Sequence, residues 1–241
     1  MRPKRIGILV PSTNTTVEGD FQTFAPDGVT FHAQRMWIPD GDMTPDFLDK
    51  MNEDLAGNLK LLLSARVDAV VYACTSGSFY RGRGWDDEVK QKIEDMSGLP
   101  ATTTSLAVVD ALHHVGAQRI SVVTPYPAWT NSKLKDYFSG FGFDILNVEG
   151  DPSARIGGHV AVNDHDPSAI AEFARTRHAP EADALFCSCT AWRSFEAVRP
   201  LEVSLGKPVI TSNQSALWKA LGLVNARMDD PRSGRLFGFR S

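Results

Sequence analysis

The chain has 241 residues, 42% of them hydrophobic and 22% charged, an ordinary globular composition with room for one large domain or two small ones. Its 25 Lys and Arg stand against 29 Asp and Glu for a net charge of −4, without a basic block of five or more, so the electrostatic footprint of a nucleic-acid binder is missing. Behind the charged residues 1–5, the apolar run 6–11 is too short for a secretion signal or a membrane span, and a cytoplasmic address is expected.

In chain order, residues 5–11 (RIGILVP) form a short apolar, β-branched run that predicts a strand buried on both faces. Residues 46–63 place Leu48, Met51, Leu55, Leu59 and Leu62 at helical spacing and predict one helix. Residues 68–75 (DAVVYACT) and 98–103 (GLPATT) read as further strands. Ser105 is the expected N-cap of a helix over 106–115, with Gly116 as its stop. The strand pattern then begins again. Residues 119–125 (RISVVTP) echo 5–11, residues 183–190 (DALFCSCT) echo 68–75, and residues 206–211 (GKPVIT) echo 98–103, in the same order and at nearly the same spacing. Further helices are expected over 127–138, 167–175, 195–205 and 213–221. The sequence therefore predicts an α/β fold of two pseudo-symmetric, doubly wound units, each with a parallel sheet. The first half is expected to take residues 1–116 plus 212–241, and the second 117–211.

In open α/β sheets a ligand lies beyond the carboxyl ends of the strands. The repeat puts Cys74 and Cys189 at equivalent strand ends, so the two thiols are expected to face one another across a cleft between the halves. Each is followed by threonine. Such a pair suits proton transfer or addition at a carbon next to a carboxylate, one thiol serving each face. A helix N-terminus lowers a thiol pKa, so one thiol is expected to react even below neutral pH. The charge that develops needs donors. Backbone N–H groups of Thr75, Ser76, Thr190 and Ala191 at helix starts, with the hydroxyls of Thr75, Ser76 and Tyr126, are the candidates.

Other residues carry two readings. Asn14 is a ligand contact at a strand end or a helix cap, and Tyr126 a donor or a turn aromatic. Cys187 lies inside its strand and reads as a small hydrophobe. With Cys189 it makes a C-x-C pair, but nothing nearby completes a metal site, and three cysteines do not make a disulfide framework. His113-His114 and Asp164-His165-Asp166 read as solvated surface. Residues 80–85 (YRGRGW) read as a flexible basic loop, solvated or in contact with a carboxylate.

Through these cysteines, and through residues 8–18 (ILVPSTNTTVE), 73–76 (ACTS), 123–126 (VTPY) and 187–189 (CSC), the chain resembles the aspartate/glutamate racemase superfamily. Within it, the likeness is to the branch of maleate cis–trans isomerases and arylmalonate decarboxylases, and it covers nearly the whole chain. Residues 79–82 (FYRG) and 234–237 (GRLF) look like the decarboxylase, whereas the opening VPSTN looks more like the isomerases. The resemblance implies two flavodoxin-like halves with the active site between them, no metal or organic cofactor, a small carboxylate substrate, and a homo-oligomer, in particular a homodimer. It implies that Cys74 adds to a substrate double bond while Cys189 exchanges a proton, and that Asn14 and Tyr126 hold carboxylates. The decarboxylase has glycine at the position of Cys74, so a two-thiol isomerase is expected. Racemisation of an amino acid or related carboxylate, arylmalonate decarboxylation, and a non-catalytic carboxylate-binding module are the alternatives. Thr75-Ser76 match the decarboxylase's oxyanion-binding pair, and Phe79, Trp129 and Trp192 are expected to line an enlarged pocket.

Overall fold

The first strand, β1 (Lys4–Pro11), is apolar from Ile6 to Val10 because both of its faces are covered. The computed structural model describes residues 2–39 and 41–238. After β1 come α1 (Thr16–Thr23), β2 (Val29–Met36), α2 (Pro45–Asn52), α3 (Leu55–Leu63), β3 (Ala69–Tyr72), α4 (Thr75–Phe79), α5 (Trp85–Ser97), β4 (Ala101–Thr103) and α6 (Thr104–His114). The second half repeats the plan with β5 (Arg119–Thr124), α7 (Ala128–Ser139), β6 (Asp144–Gly150), α8 (Pro167–Arg177), β7 (Ala184–Cys187), α9 (Val198–Leu205), β8 (Val209–Thr211) and α10 (Ser212–Leu223). The sheets are parallel and ordered β2-β1-β3-β4 and β6-β5-β7-β8. Register repeats too: Ile6 pairs with Ala69 in the first sheet as Ile120 pairs with Ala184 in the second.

Several local expectations change. The predicted helix over 46–63 is two helices, because Asp54 accepts the Gly57 N–H at 3.0 Å and caps a new start. Its apolar period runs on across the break because Leu48, Met51, Leu55, Leu59 and Leu62 all enter one core cluster with Leu9, Val70 and Tyr72. Helix α6 starts one residue before Ser105, and Thr103 is its cap, accepting the Leu106 N–H at 3.3 Å. Thr211 caps α10 in the same way and completes a capping box with Gln214. Gly7 lets α3 press against β1, since a Cβ there would lie 2.8 Å from a Leu62 methyl.

Helices α6 and α10 pack on each other between the halves and exchange sides. Ala216, Leu217 and Leu221 of α10 enter the cluster of Ile6, Ile8 and Val71, while Val108, Ala111 and Leu112 of α6 enter that of Ile120, Val122 and Phe186. Beyond α10, residues 231–237 rest on α9, α10 and β8, with the Arg235 N–H on the buried Glu202 carboxylate and Leu236 among second-sheet residues.

Candidate active site

Strand β3 delivers Cys74 as the N-cap of the five-residue α4. Its sulfur accepts the Gly77 N–H at 3.3 Å and lies 3.8 Å from the Ser76 hydroxyl. Gly77 is needed for that approach, since a Cβ would come within 3.0 Å of the sulfur and 2.8 Å of Met51 Cε. Burial pushes the Cys74 thiol above its ordinary range, and the Gly77 amide and Ser76 hydroxyl pull back only part of the way.

Cys189 leaves β7 differently. No helix follows it: residues 190–197 turn loosely before α9, so the expected helix start at Thr190 and Ala191 is not formed. Cys189 itself has φ 154°, a region that side-chain-bearing residues avoid at a cost of about 1–3 kcal/mol. The surroundings hold it there. Its N–H donates to Ser212 Oγ at 3.0 Å, Asn213 Nδ2 donates to the Thr190 carbonyl at 2.9 Å, and the Thr16 hydroxyl donates to the Ala191 carbonyl at 2.9 Å. Burial pushes the Cys189 thiol up to about 11, against the opposing pull of the Ala191 amide and the Tyr126 hydroxyl. In the unliganded site desolvation opposes the lowering expected of a helix start and shifts both thiols upward.

The two cysteines line one cavity of about 460 Å³, together with Asn14, Ser76, Tyr126, Thr190 and Ala191. Asn14 lies on the cavity wall and also satisfies amides at the start of α1. Its Oδ1 accepts the Thr16 and Val17 N–H groups at 2.9 and 3.1 Å, and its Nδ2 reaches Thr190 Oγ1 at 3.1 Å. Tyr126 is buried, and burial followed by the nearby Cys189 holds its phenol well above the usual range, so it is a hydrogen-bond donor. Thr75 departs from expectation: its hydroxyl donates to Ser212 at 2.9 Å and is not on the cavity wall. The lining also has an apolar part, with Ile38, Met43, Phe47, Met51 and Trp129. Phe79 and Trp192, expected beside Trp129, are instead in the core, where Trp192 Nε1 donates to His165 Nδ1 at 2.8 Å.

That contact also corrects the surface reading of His165, whose side chain is only 13% exposed. Asp164 and Asp166 are exposed as expected, and so are His113 and His114. The loop 80–85 contacts α2: Tyr80 donates to Asp49, and Arg81 pairs with Asp49 at 2.6 Å while lying over the Trp85 ring. Cys187 is wholly buried in the core.

Sequence reasoning missed Asn163, Arg155 and His159, which come to the cavity from two short 3-10 helices after β6, Ser153–Arg155 and His159–Asp164. Asn163 is 6% exposed and joins the halves, accepting the Thr15 N–H at 3.0 Å and donating to the Thr13 carbonyl at 3.1 Å. Its one sequence signal is an asparagine set behind Val160 and Val162, too weak to stand alone. Among the described residues, no group of three or more His, Cys, Asp or Glu is placed to hold a metal ion, and no helix is long and apolar enough to cross a membrane.

Two repeated α/β halves with a thiol from each on one cavity wall define the class, and the comparisons agree: the chain belongs to the arylmalonate decarboxylase family, whose sequence model matches residues 6–237. It is 26% identical over 246 residues to a maleate isomerase of Geobacillus stearothermophilus, covering 96% of each chain. It is 28% identical over 235 residues to an arylmalonate decarboxylase of Bordetella bronchiseptica, covering 96% of this chain and 95% of that one. The crystal structure of a cysteine-to-alanine variant of the maleate isomerase Iso from Pseudomonas putida S16, with maleate, has a TM-score of 0.90 at 26% identity, covering 99% of this chain and 98% of that one.

Proposed function

We propose that this protein is a cofactor-independent, two-cysteine isomerase that converts a small cis-unsaturated dicarboxylate of the maleate type to its trans isomer. The observation that carries the reading is the placement of Cys74 and Cys189 on the wall of one cavity that also holds hydrogen-bond donors for carboxylates. Asn14, Ser76, Tyr126 and the Thr190–Ala191 turn lie beside the thiols, and Arg155 adds a positive charge to the wall. His159 Nε2 is buried without a hydrogen-bond partner and is free to meet a carboxylate oxygen.

The chemistry follows from the surroundings of each sulfur. Cys74, capped onto α4, gives up its proton to solvent and its thiolate adds to one alkene carbon. The π electrons pass to the other alkene carbon and its carboxylate, forming an enediolate that the Tyr126 hydroxyl and the nearby amides steady. Cys189, with a thiol held near 11, is the proton donor to that carbon. The product is a saturated thioether, free to rotate about what is now a single bond. Cys189 then removes a proton from the same carbon, the double bond re-forms, and Cys74 leaves as thiolate. No atom is gained or lost, so the cycle needs no cofactor.

Incubating the protein with maleate and following the vinyl protons by NMR tests the reading. Growth of the fumarate signal at the expense of maleate is expected. A folded protein that leaves maleate unchanged, or that racemises an α-amino acid instead, overturns it.

A further inference from the structure

A second cavity, of about 740 Å³, lies between α1, the start of α9 and the turn at Pro231–Ser233. It shares Asn163 with the catalytic cavity, but neither Cys74 nor Cys189 lines it. Three arginines do: Arg193, Arg199 and Arg232. Two of them are neutralised at close range, since Arg193 pairs with Glu196 at 2.9 Å and Arg232 with Asp230 at 2.6 Å. Arg199 is not. Among the described residues its side chain has no hydrogen bond or ion pair, and its Nη1 is shielded from solvent without a partner. Glu202, further along α9, feels the Arg199 charge, but its carboxylate is taken by the N–H groups of Val209 and Arg235. The start of α9 adds to the imbalance. It has neither a capping side chain nor an acid in its first turn, so Arg199 places its charge at the positive end of the helix dipole. Asp20 does not answer that charge. Its carboxyl is buried, accepts Asn213 Nδ2 at 2.7 Å, and is raised by burial to about 7, so it is largely uncharged below that pH.

We propose that this cleft is a binding site for a small anion bearing phosphate or carboxylate groups, with Arg199 as its principal contact. A guanidinium presents paired N–H donors that match either kind of oxyanion. Thr15 and Thr23 bring hydroxyls to the cleft from α1, and the start of α9 contributes its dipole. The anion supplies the counter-charge that the chain itself does not give to Arg199. Asn163 is the partition between this site and the catalytic cavity. Its Oδ1 accepts the Thr15 N–H at 3.0 Å and the Thr16 hydroxyl at 3.2 Å, and its Nδ2 donates to the Thr13 and Val160 carbonyls. The inference goes beyond the isomerase reading and holds whatever reaction the thiols perform.

Isothermal titration calorimetry below pH 7 and at fixed ionic strength tests the site, with inorganic phosphate and citrate as separate probes. The natural protein is compared with Arg199→Met and Arg155→Met. Arg155 lines the catalytic cavity, so its variant removes the same charge from the other site. Saturable binding of at least one probe is expected, weakened about tenfold by Arg199→Met and little changed by Arg155→Met. Which probe binds more tightly separates a phosphate site from a carboxylate site. No saturable binding of either, an affinity unchanged by Arg199→Met, or an equal loss in Arg155→Met overturns the proposal. If Arg199→Met does not fold, backbone amide shifts in the natural protein carry the test. The probe that binds should move the signals of Gly19 and Thr23 and leave those of Ser76 and Tyr126 in place, and the reverse pattern overturns the proposal. Binding is read without turnover, so a failure here leaves the maleate reading untouched.

Discussion

Thr75 donates its hydroxyl to Ser212 at 2.9 Å, and Ser212 in turn accepts the backbone N–H of Cys189 at 3.0 Å. The residue that follows one cysteine thus supports the other through a single serine. Ser212→Ala removes that acceptor and leaves two buried donors unpaired, at about 1–3 kcal/mol of stability. Urea unfolding should show a loss of that size, with turnover falling more than substrate affinity because the Cys189 turn loosens. Unchanged stability and turnover would show that the link does not matter.

The thiols should be separately required. Cys189→Ser keeps a hydroxyl that hardly ionises, and loss of a positioned acid–base group costs roughly 10²–10⁴ in rate. With maleate, Cys189→Ala should gain the mass of one substrate on the Cys74 peptide and release no fumarate. Cys74→Ser should show neither adduct nor turnover. Cys187→Ala, in the core and off the cavity wall, should keep its turnover. Full activity in either Cys74→Ser or Cys189→Ser would dismantle the two-thiol cycle.

The raised thiols set a pH signature. With Cys189 held up to about 11, its thiolate fraction grows about tenfold per pH unit between 7 and 10. Labelling of the unliganded protein should follow that slope without levelling off. Cys187, pushed up to about 12 with no opposing donor and no solvent contact, should stay unlabelled. A plateau for Cys189 below pH 8 would mean that the amides outweigh burial after all.

Much of this architecture was legible because β1, β3 and β4 and their counterparts β5, β7 and β8 are short apolar runs written twice. The strands β2 and β6 were not, because most of their residues are half-buried or exposed, unlike those of β4 and β8. Gln34 and Arg35, like Asn147 and Glu149, interrupt any apolar run there. In the site, the cysteines and Asn14 announced themselves as polar residues at strand ends. Asn163, His165 and Asn213 did not, since their roles arise from contacts between distant segments. Asp20 and Asn213, in direct contact, are 193 residues apart. The asymmetry between the two cysteine turns was equally hidden. Cys-Thr occurs in both, and only packing decides that one enters a helix and the other a strained turn.

Asp20 gives a last prediction, one of stability against pH. Burial, partly opposed by the Asn213 hydrogen bond, raises its carboxyl from 3.8 to about 7, with Glu196 pushing it up and Arg193 pulling it down. Arg199 and Arg232 line the same outer cleft. In the unfolded chain the group ionises near pH 4, but in the native fold it keeps its proton to about pH 7. Between those values the native state binds more protons than the unfolded one, so the contribution of Asp20 is fully present below pH 4 and is lost as pH rises through 7. The shift of about three units corresponds to at most about 4 kcal/mol. Asp20→Asn cannot ionise and escapes this loss. Its stability relative to the natural protein, from urea unfolding, should climb from pH 4 to pH 7 and level off above pH 8. A difference that stays constant over that range would mean that Asp20 titrates like a solvated carboxylate, and that its contact with Asn213 is made by an anion at every pH where the protein works.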